Sequence, residues 1–254
     1  MVLSLAACAS SQPAAASTET AETTETTEPA AEESAEAPAE SGKTYTVGVC
    51  QLVQHEALDA ATQGFVDALK EELGDAVTVD VQNASGDSVN CGTIVNGFVS
   101  DKVDLIMANA TPALTAAVSA TKDIPILGTS ITAYGVALDL ADFDGTVGGN
   151  ISGTSDLAPL DQQAAMIQEL FPDAKNIGLL YCSAEANSQY QVDEMTKYLT
   201  ELGLTATAYA FTDTNDVASV AQAACDASDV LYIPTDNTAA SNTCLLYTSP
   251  SPRD

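Results

Sequence analysis

The sequence carries little positive charge. Only seven Lys and Arg stand against 36 Asp and Glu among 254 residues, which gives a formal net charge of −29 at pH 7. Nucleic acid needs a basic surface to meet its phosphates, so the composition argues against a nucleic-acid partner, and equally against adsorption to anionic lipid by charge. Strong acidity keeps a surface protein soluble, and this role alone is sufficient to explain the composition.

Motifs of catalysis and metal binding are absent as well. The sequence contains no GxSxG, no HExxH, no P-loop and no GxGxxG after its first predicted strand. It has no CxxC and no Cys/His cluster with zinc spacing. The one histidine, His55, has no nucleophile at a recognised spacing. We therefore predict no enzyme, no metal site and no cofactor. No run of 18 apolar residues occurs, so no membrane-spanning helix is predicted.

The amino terminus combines two features of surface lipoproteins. Leu5-Ala6-Ala7-Cys8 resembles a lipobox, and residues 1–8 are interpreted as a partial lipoprotein signal with Cys8 as the lipidated residue. Residues 9–41 hold eight Glu and no Lys or Arg, so 9–43 is predicted to be a disordered acidic tether. The alternative is a chance match in an Ala-rich segment.

From residue 44 onward, short β-branched runs alternate with helical patterns, which predicts βαβ units and parallel sheets. We predict lobe one over 44–150 and a lobe two, cut short, over 151–244, with 130–155 as loop and crossover between them. Residues 245–254 (LLYTSPSPRD) fit neither pattern and are predicted to be a non-native tail. The predicted strands are 45–50, 77–82, 103–108, 124–128, 176–181, 205–211 and 230–233, and the predicted helices are 56–73, 87–101, 112–121, 157–171, 186–202 and 216–227.

Cysteines fall mostly on these predicted elements. Cys50 and Cys182 end apolar runs, and Cys225 lies in an Ala-rich helical pattern. Most are expected to be small buried apolar groups, and the sequence leaves disulfide formation open.

Neutral polar residues follow the predicted strands, where ligands bind in open parallel sheets. Thr111 and Ser130 are suited to a carboxylate, and Asp156, Glu185 or Asp236 to an ammonium. Together they suit a small zwitterion such as an amino acid, with an apolar side chain near Val53, His55 and Tyr134. The predicted ligand-binding residues are Gln51, His55, Thr111, Thr129, Ser130, Asp156, Glu185, Asn187, Asp236 and Asn237.

Several of these residues also have a purely structural interpretation. Asn187 and Asn237 lie at helix starts, where capping alone explains such side chains. His55 is as readily a solvated residue at a helix start as a group that stacks on a ligand. Tyr134 either lines the cleft or covers core.

Several of these segments carry a family resemblance in a fixed order. They are VGVCQLVQHEALDAATQGFVDAL, NASGD, DKVDLIMANATPAL, KDIPILGTSIT, the GxxSGTSD crossover, SAEANS and YIPTDN, spread over 46–237. In this order they resemble ABC-transporter substrate-binding proteins of the tryptophan/tyrosine-binding type. The resemblance implies the type I periplasmic-binding-protein fold, an α/β fold of two Rossmann-like lobes with parallel sheets that close on a ligand. It implies that the cleft is faced by Gln51, Thr111, Ser130, Asp156, Asn187 and Asp236.

The same resemblance implies partners and a location. These are a membrane permease with a cytoplasmic ATPase, to which an extracytoplasmic, lipid-anchored protein delivers its solute. It also implies a further stretch that completes lobe two, which this sequence lacks. A ligand-binding sensor module that presents the solute to a membrane receptor would use the same fold and is the alternative function.

Overall fold

The structure, a computed structural model, describes residues 42–248, and its first half alternates strands with helices. Cys8, the predicted signal and all but the last two residues of the predicted tether lie outside the described residues. The elements of this half are β1 (Tyr45–Gln51), α1 (Glu56–Leu73), β2 (Val77–Asn83), α2 (Ser88–Asp101), β3 (Leu105–Asn109), α3 (Thr111–Ala120), β4 (Ile126–Ile131), α4 (Tyr134–Ala137) and β5 (Ile151–Ser155).

One five-stranded parallel sheet joins these strands in the order β2-β1-β3-β4-β5. This corrects the prediction of loop and crossover over 130–155, because β4 runs on to Ile131, α4 follows and β5 adds an edge strand. The change of sheet therefore falls after Ser155 and not at residue 150. The strand was missed because its sequence, ISGTS, is polar and four of its five residues are exposed.

The second half repeats the alternation around a smaller sheet. Its three strands are parallel and ordered β7-β6-β8. The elements are α5 (Leu160–Leu170), β6 (Asn176–Cys182), α6 (Ala186–Glu201), β7 (Thr205–Phe211), α7 (Val217–Ala227), β8 (Val230–Tyr232), α8 (Asn237–Ser241) and α9 (Thr243–Thr248).

The predicted tail begins inside α9, whose Leu246 packs against the core of lobe two. Its non-native origin stays a prediction. Across residues 42–248, no helix is both long enough and apolar enough to cross a membrane.

The core of lobe one forms where α2 and α3 cover the central strands. Four of the five residues of β3 are buried, as expected for a strand covered on both faces. Gly48 lets α2 approach β1 closely, since a Cβ there would stand 2.6 Å from the ring of Phe98. Glycine is therefore required at this position for the helix to pack on the strand.

Strand β6 divides the core of lobe two into two clusters. Ile177 and Leu179 face α5 and α6, whereas Leu180 and Cys182 face α7 on the opposite side. This alternation is the period-two pattern of a strand with helices on both faces. It fixes the register of β6, so the loop that follows Cys182 emerges at a defined position.

Candidate functional site

Four of the predicted site residues meet in one buried network on lobe two. Glu185 and Asn187 follow β6, while Asp236 and Asn237 follow β8, and those strands are neighbours in the sheet. Because parallel strands end at the same edge, the two loops converge there. All four residues are at most 9% exposed.

Glu185 holds the beginning of α8. Its Oε2 accepts hydrogen bonds from the backbone N–H of Asn237 at 3.1 Å and from its Nδ2 at 2.7 Å. Its Oε1 accepts from the backbone N–H and the hydroxyl of Thr238, both at 2.8 Å. The carboxylate therefore satisfies the unpaired N–H groups that open a helix, although it belongs to a distant loop.

Asp236 is the N-cap of the same helix. Its Oδ1 accepts from the backbone N–H of Ala239 at 2.7 Å, and its Oδ2 accepts from that of Cys182 at 2.7 Å. Burial raises the pKa of Asp236 to about 6, the negative charge of Glu185 adds to the rise, and the hydrogen bonds from the backbone oppose it. Two carboxyl groups thus share a site from which water is largely excluded.

Asn187 contributes an unsatisfied acceptor beside these carboxyl groups. Its Nδ2 donates to the carbonyl of Thr235 at 3.1 Å and to Glu185 Oε2 at 3.4 Å. Its Oδ1 is buried and has no hydrogen-bond partner among residues 42–248. An unpaired buried acceptor of this kind costs about 1–3 kcal/mol, so a donor that reached it would be favoured.

His55 joins lobe one to this network. Its Nε2 lies 3.4 Å from Oδ1 of Asn237. The amide orientation follows from chemistry: Nδ2 of Asn237 donates to the carboxylate of Glu185, so Oδ1 points to the ring. Since an amide oxygen only accepts, Nε2 is the atom that carries the proton. His55 is half-buried and stands at the start of α1 without capping it.

Gln51 is committed to lobe one. Its Nε2 donates to the carbonyl of Val53 at 2.9 Å and to Asp59 Oδ1 at 2.6 Å, and its Oε1 accepts from the Thr62 hydroxyl at 2.6 Å. These bonds tie β1 to α1 inside the lobe. A ligand contact of Gln51 stays a prediction, and the structure gives its amide another role.

Sequence reasoning missed Asn109, the last residue of β3. Its Nδ2 donates to the carbonyl of Leu58 at 2.8 Å and to the hydroxyl of Thr62 at 2.9 Å. Its Oδ1 is buried without a partner within the described residues. The available signal was an amide at the end of a predicted strand, at the start of the NATP loop. In the structure Asn109 pairs with Thr129 in the sheet.

Thr111, Thr129 and Ser130 lie together at the carboxyl ends of β3 and β4. The backbone N–H of Ala110 donates to the carbonyl of Thr129 at 3.1 Å, which holds the two strand ends side by side. Ala110 at φ 88° and Ser130 at φ 56° both occupy the left-handed region. Strain of this kind persists only where surrounding structure enforces it and is frequent at ligand sites. No hydrogen bond from these three hydroxyls occurs within residues 42–248.

Asp156 stands apart from the lobe-two network and is exposed at the end of β5. Nearby protein still withdraws water from its carboxyl and raises its pKa, which the Thr132 hydroxyl partly opposes. Beside it, Tyr134 is buried and donates to the carbonyl of Gly128 at 3.0 Å. Burial raises the pKa of Tyr134 to about 12, and the charge of Asp156 contributes.

The cavities around these groups are separate. One of about 210 Å³ has Val53 opposite Glu185, one of about 550 Å³ has His55 and Asp236 on its wall, and one of about 760 Å³ is bounded by Tyr134. Val53, His55 and Tyr134 thus line three different cavities, and an apolar space shared by the three stays a prediction. The hydrogen bond to the carbonyl of Gly128 holds Tyr134 against β4.

No group of three or more His, Cys, Asp or Glu within 42–248 is arranged to hold a metal ion. What the site offers chemically is a set of hydrogen-bond acceptors on lobe two and hydroxyl groups on lobe one.

Comparison with known proteins identifies the family. The family model of ABC transporter substrate binding proteins matches residues 46–250. The curated tyrosine-binding protein of Clostridioides difficile (strain R20291) is 39% identical over 201 residues, covering 78% of this chain, and the chain spans 58% of that protein's length.

Two solved structures are similar in fold and sequence. The ABC domain from Streptococcus pneumoniae in complex with L-Trp superposes with a TM-score of 0.77 at 37% identity, covering 82% of this chain and 70% of its own. A ligand-free, open substrate binding protein with adhesive properties from Clostridium difficile gives 0.55 at 39% identity, covering 80% and 70%. The fold is the type I periplasmic-binding-protein fold, and the chain belongs to the ABC transporter substrate-binding protein family.

Proposed function

We propose that this protein captures a free amino acid between its two lobes and delivers it to an ABC importer. The observation that carries the proposal is the buried pair Glu185 and Asp236. Within the described residues, every hydrogen-bond donor to their oxygens is a neutral group. A buried negative charge without a cation is costly, and a solute ammonium would compensate it.

Asn187 supports the same orientation of the solute. Its Oδ1 is buried beside Glu185 and lacks a donor within 42–248. An ammonium has three N–H donors and no acceptor, so it suits a site composed of two carboxyl groups and an unpaired amide oxygen. A hydroxyl of a sugar would satisfy the amide but would leave the charge uncompensated.

The other end of the solute would meet lobe one. The hydroxyls of Thr111 and Ser130 have no hydrogen-bond partner within 42–248, and Thr111 opens α3, whose first backbone N–H groups favour an anion. Lobe one would thus bind the α-carboxylate and lobe two the ammonium. The names of the relatives support an amino acid: one is called tyrosine-binding, and one structure holds L-Trp.

The described conformation is consistent with the closed state. The chain superposes better on the L-Trp complex, at a TM-score of 0.77, than on the ligand-free open structure, at 0.55. The contact between His55 and Asn237 spans the lobes at 3.4 Å, so opening would separate these two side chains. Closure around a solute would be stabilised by such contacts.

The partners and the location belong to the same proposal. Family membership supports work outside the cytoplasm with a permease and an ATPase. We propose that Cys8 is lipidated and anchors the protein to the membrane. Stable anchoring requires about two lipid chains, which a diacylated cysteine supplies. In a bacterial host, with a complete signal peptide supplied, Cys8→Ala is expected to move the protein from the membrane fraction to the soluble fraction. Retention in the membrane would contradict the anchor and leave solute binding untouched.

The test of solute binding is a thermal-shift screen of amino acids, nucleosides and sugars. A ligand that binds only the folded state raises stability by about 2.7 kcal/mol at a hundredfold excess over its Kd. We expect an amino acid to raise the Tm and the other two classes to leave it unchanged.

The matched variants are Ser130→Ala and Ser119→Ala. Ser119 is an exposed serine on α3 whose hydroxyl bonds within its own helix. Loss of one hydrogen bond to a charged group is expected to weaken binding about tenfold or more for Ser130→Ala and not for Ser119→Ala. A sugar or nucleoside that raises the Tm, with no amino acid doing so, would overturn the proposed solute.

A further inference from the structure

Two cysteines face each other inside lobe one, where α2 packs on β1. Phe98 of α2 lies directly over Gly48 of β1, which sets a close approach of helix to strand. Cys50 lies two residues beyond Gly48 and so on the same face of the strand. Cys91 lies seven residues before Phe98, two helical turns away and so on the same side of the helix.

The two cysteines belong to the same buried core. Both are 0% exposed, and neither is in a disulfide. The interaction of each thiol with the other raises the pKa of Cys50 and lowers the pKa of Cys91. Cys91 is therefore the better nucleophile of the two.

The third cysteine that is buried within residues 42–248 is arranged differently. Sγ of Cys182 contacts the carbonyl of Thr212 at 3.5 Å in lobe two. It serves as a matched control because it is buried, lies at the end of a strand and has a backbone oxygen as its partner.

We propose that Cys50 and Cys91 form a redox-active pair, whose oxidation to a disulfide fastens α2 to β1. The oxidant is a low-molecular-weight disulfide R–S–S–R. The Cys91 thiolate attacks one sulfur of the reagent, which breaks its S–S bond and releases R–S⁻. Cys50 then loses its proton, attacks Cys91 in the mixed disulfide and releases the second R–S⁻. The two protons lost by the cysteines convert both leaving groups to R–SH, so two thiols are oxidised and one disulfide is reduced.

Burial sets the conditions under which the pair reacts. Neither sulfur is exposed, so a reagent reaches Cys91 only when α2 opens or before the lobe has folded. We expect the folded, reduced protein to oxidise slowly, and oxidative refolding from urea to form the bond readily. The disulfide would close the chain between residues 50 and 91 and restrict the unfolded state.

Peptide mapping tests the pairing on the unmodified full chain. The protein is refolded in oxidised and reduced glutathione, its free thiols are blocked with N-ethylmaleimide, and it is digested with trypsin without reduction. Lysines at 43, 70 and 102 place Cys50 in peptide 44–70 and Cys91 in peptide 71–102. The expected product is these two peptides joined, separating on reduction. Recovery of both as maleimide adducts, or joined to other cysteine peptides, would overturn the proposal.

Thermal melts provide the second measurement. Oxidised protein is expected to melt roughly 5 °C or more above protein treated with a phosphine reductant. Cys182→Ala should keep that difference, and Cys91→Ser should abolish it. If Cys91→Ser fails to fold, the comparison of oxidised with reduced wild-type protein still decides. If the linked peptides are present but the Tm is unchanged, the proposed stabilisation by a covalent link between α2 and β1 is contradicted.

Discussion

Lowering the pH should weaken amino-acid binding through Asp236. This carboxyl group is 4% exposed, and its pKa is raised to about 6 by burial first and then by the charge of Glu185. An ammonium binds the ionised form, so protonation of the carboxyl group competes with the solute. The effect has a definite sign: binding is strongest above the pKa and declines as the pH falls through it.

The magnitude follows from the fraction of Asp236 that is ionised. With a pKa of about 6, the carboxyl is about nine-tenths ionised at pH 7 and about one-tenth ionised at pH 5. The Kd for the proposed amino-acid solute should therefore rise about tenfold over this interval, which corresponds to about 1.4 kcal/mol.

Isothermal titration calorimetry between pH 5 and pH 8 measures this dependence. Asp236→Asn should bind weakly and should lose most of the pH dependence. Glu194→Gln removes a half-buried carboxylate of the same lobe that pairs with Lys197, and it should leave both the Kd and its pH dependence unchanged. His55→Gln removes the one histidine of the chain, so a persisting tenfold change assigns the effect to the carboxyl. A Kd that is constant from pH 5 to pH 8 in the wild-type protein would refute the reasoning.

Three further predictions concern stability, each measured by urea unfolding of the unliganded protein. Gly153→Ala should destabilise the protein by about 2 kcal/mol or more, because the new Cβ would meet the carbonyl oxygen of Gly128. Gly149→Ala is the control: this glycine has positive φ but open space around it, so the substitution should cost about 1 kcal/mol. Equal losses for the two variants would contradict the clash. Phe98→Ala should cost about 3–5 kcal/mol by leaving a cavity over β1, and a loss below 1 kcal/mol would show that α2 does not depend on that ring. The pKa of Asp236 is raised from 3.8 to about 6 on folding, so stability should fall by about 2 kcal/mol as the pH rises from 4 to 6 and level off above pH 7. A rise in stability over the same interval would contradict the burial of that carboxyl group.

The sequence predicted elements whose apolar residues repeat with a clear period. Strand β7 and helix α1 have the predicted bounds, and most others differ by one to three residues. Strand β5 was missed because an edge strand of Ser, Gly and Thr buries almost nothing. The predicted carboxyl ends of β1 and β3 each fall one residue short of the observed ends. The last residues of these strands, Gln51 and Asn109, are polar, and a hydrophobic pattern does not include them.

The site was only partly predictable, because its contacts are non-local. Asp87 caps α2 through Val89 N, as a residue at that position is expected to do. Glu185, by contrast, binds the start of a helix 52 residues further along the chain. Nothing in the sequence around Glu185 indicates that partner. The hydrogen bonds of Gln51 to α1 likewise depend on Thr62. Thr62 lies on the buried side of α1, whose buried side was predicted from its apolar residues alone.

The capping interactions explain how lobe two can keep two carboxyl groups buried before any solute binds. Asp236 accepts two backbone N–H groups, and Glu185 accepts two more together with the side chains of Asn237 and Thr238. These donors offset part of the desolvation cost, but they are neutral, so the negative charge itself remains uncompensated. The same hydrogen bonds hold the loops after β6 and β8 in place. The entropic cost of ordering these loops when a solute binds is therefore small. Structural capping and solute recognition are therefore compatible roles for these carboxylates, because the caps hold the charge in position and the proposed ammonium neutralises it.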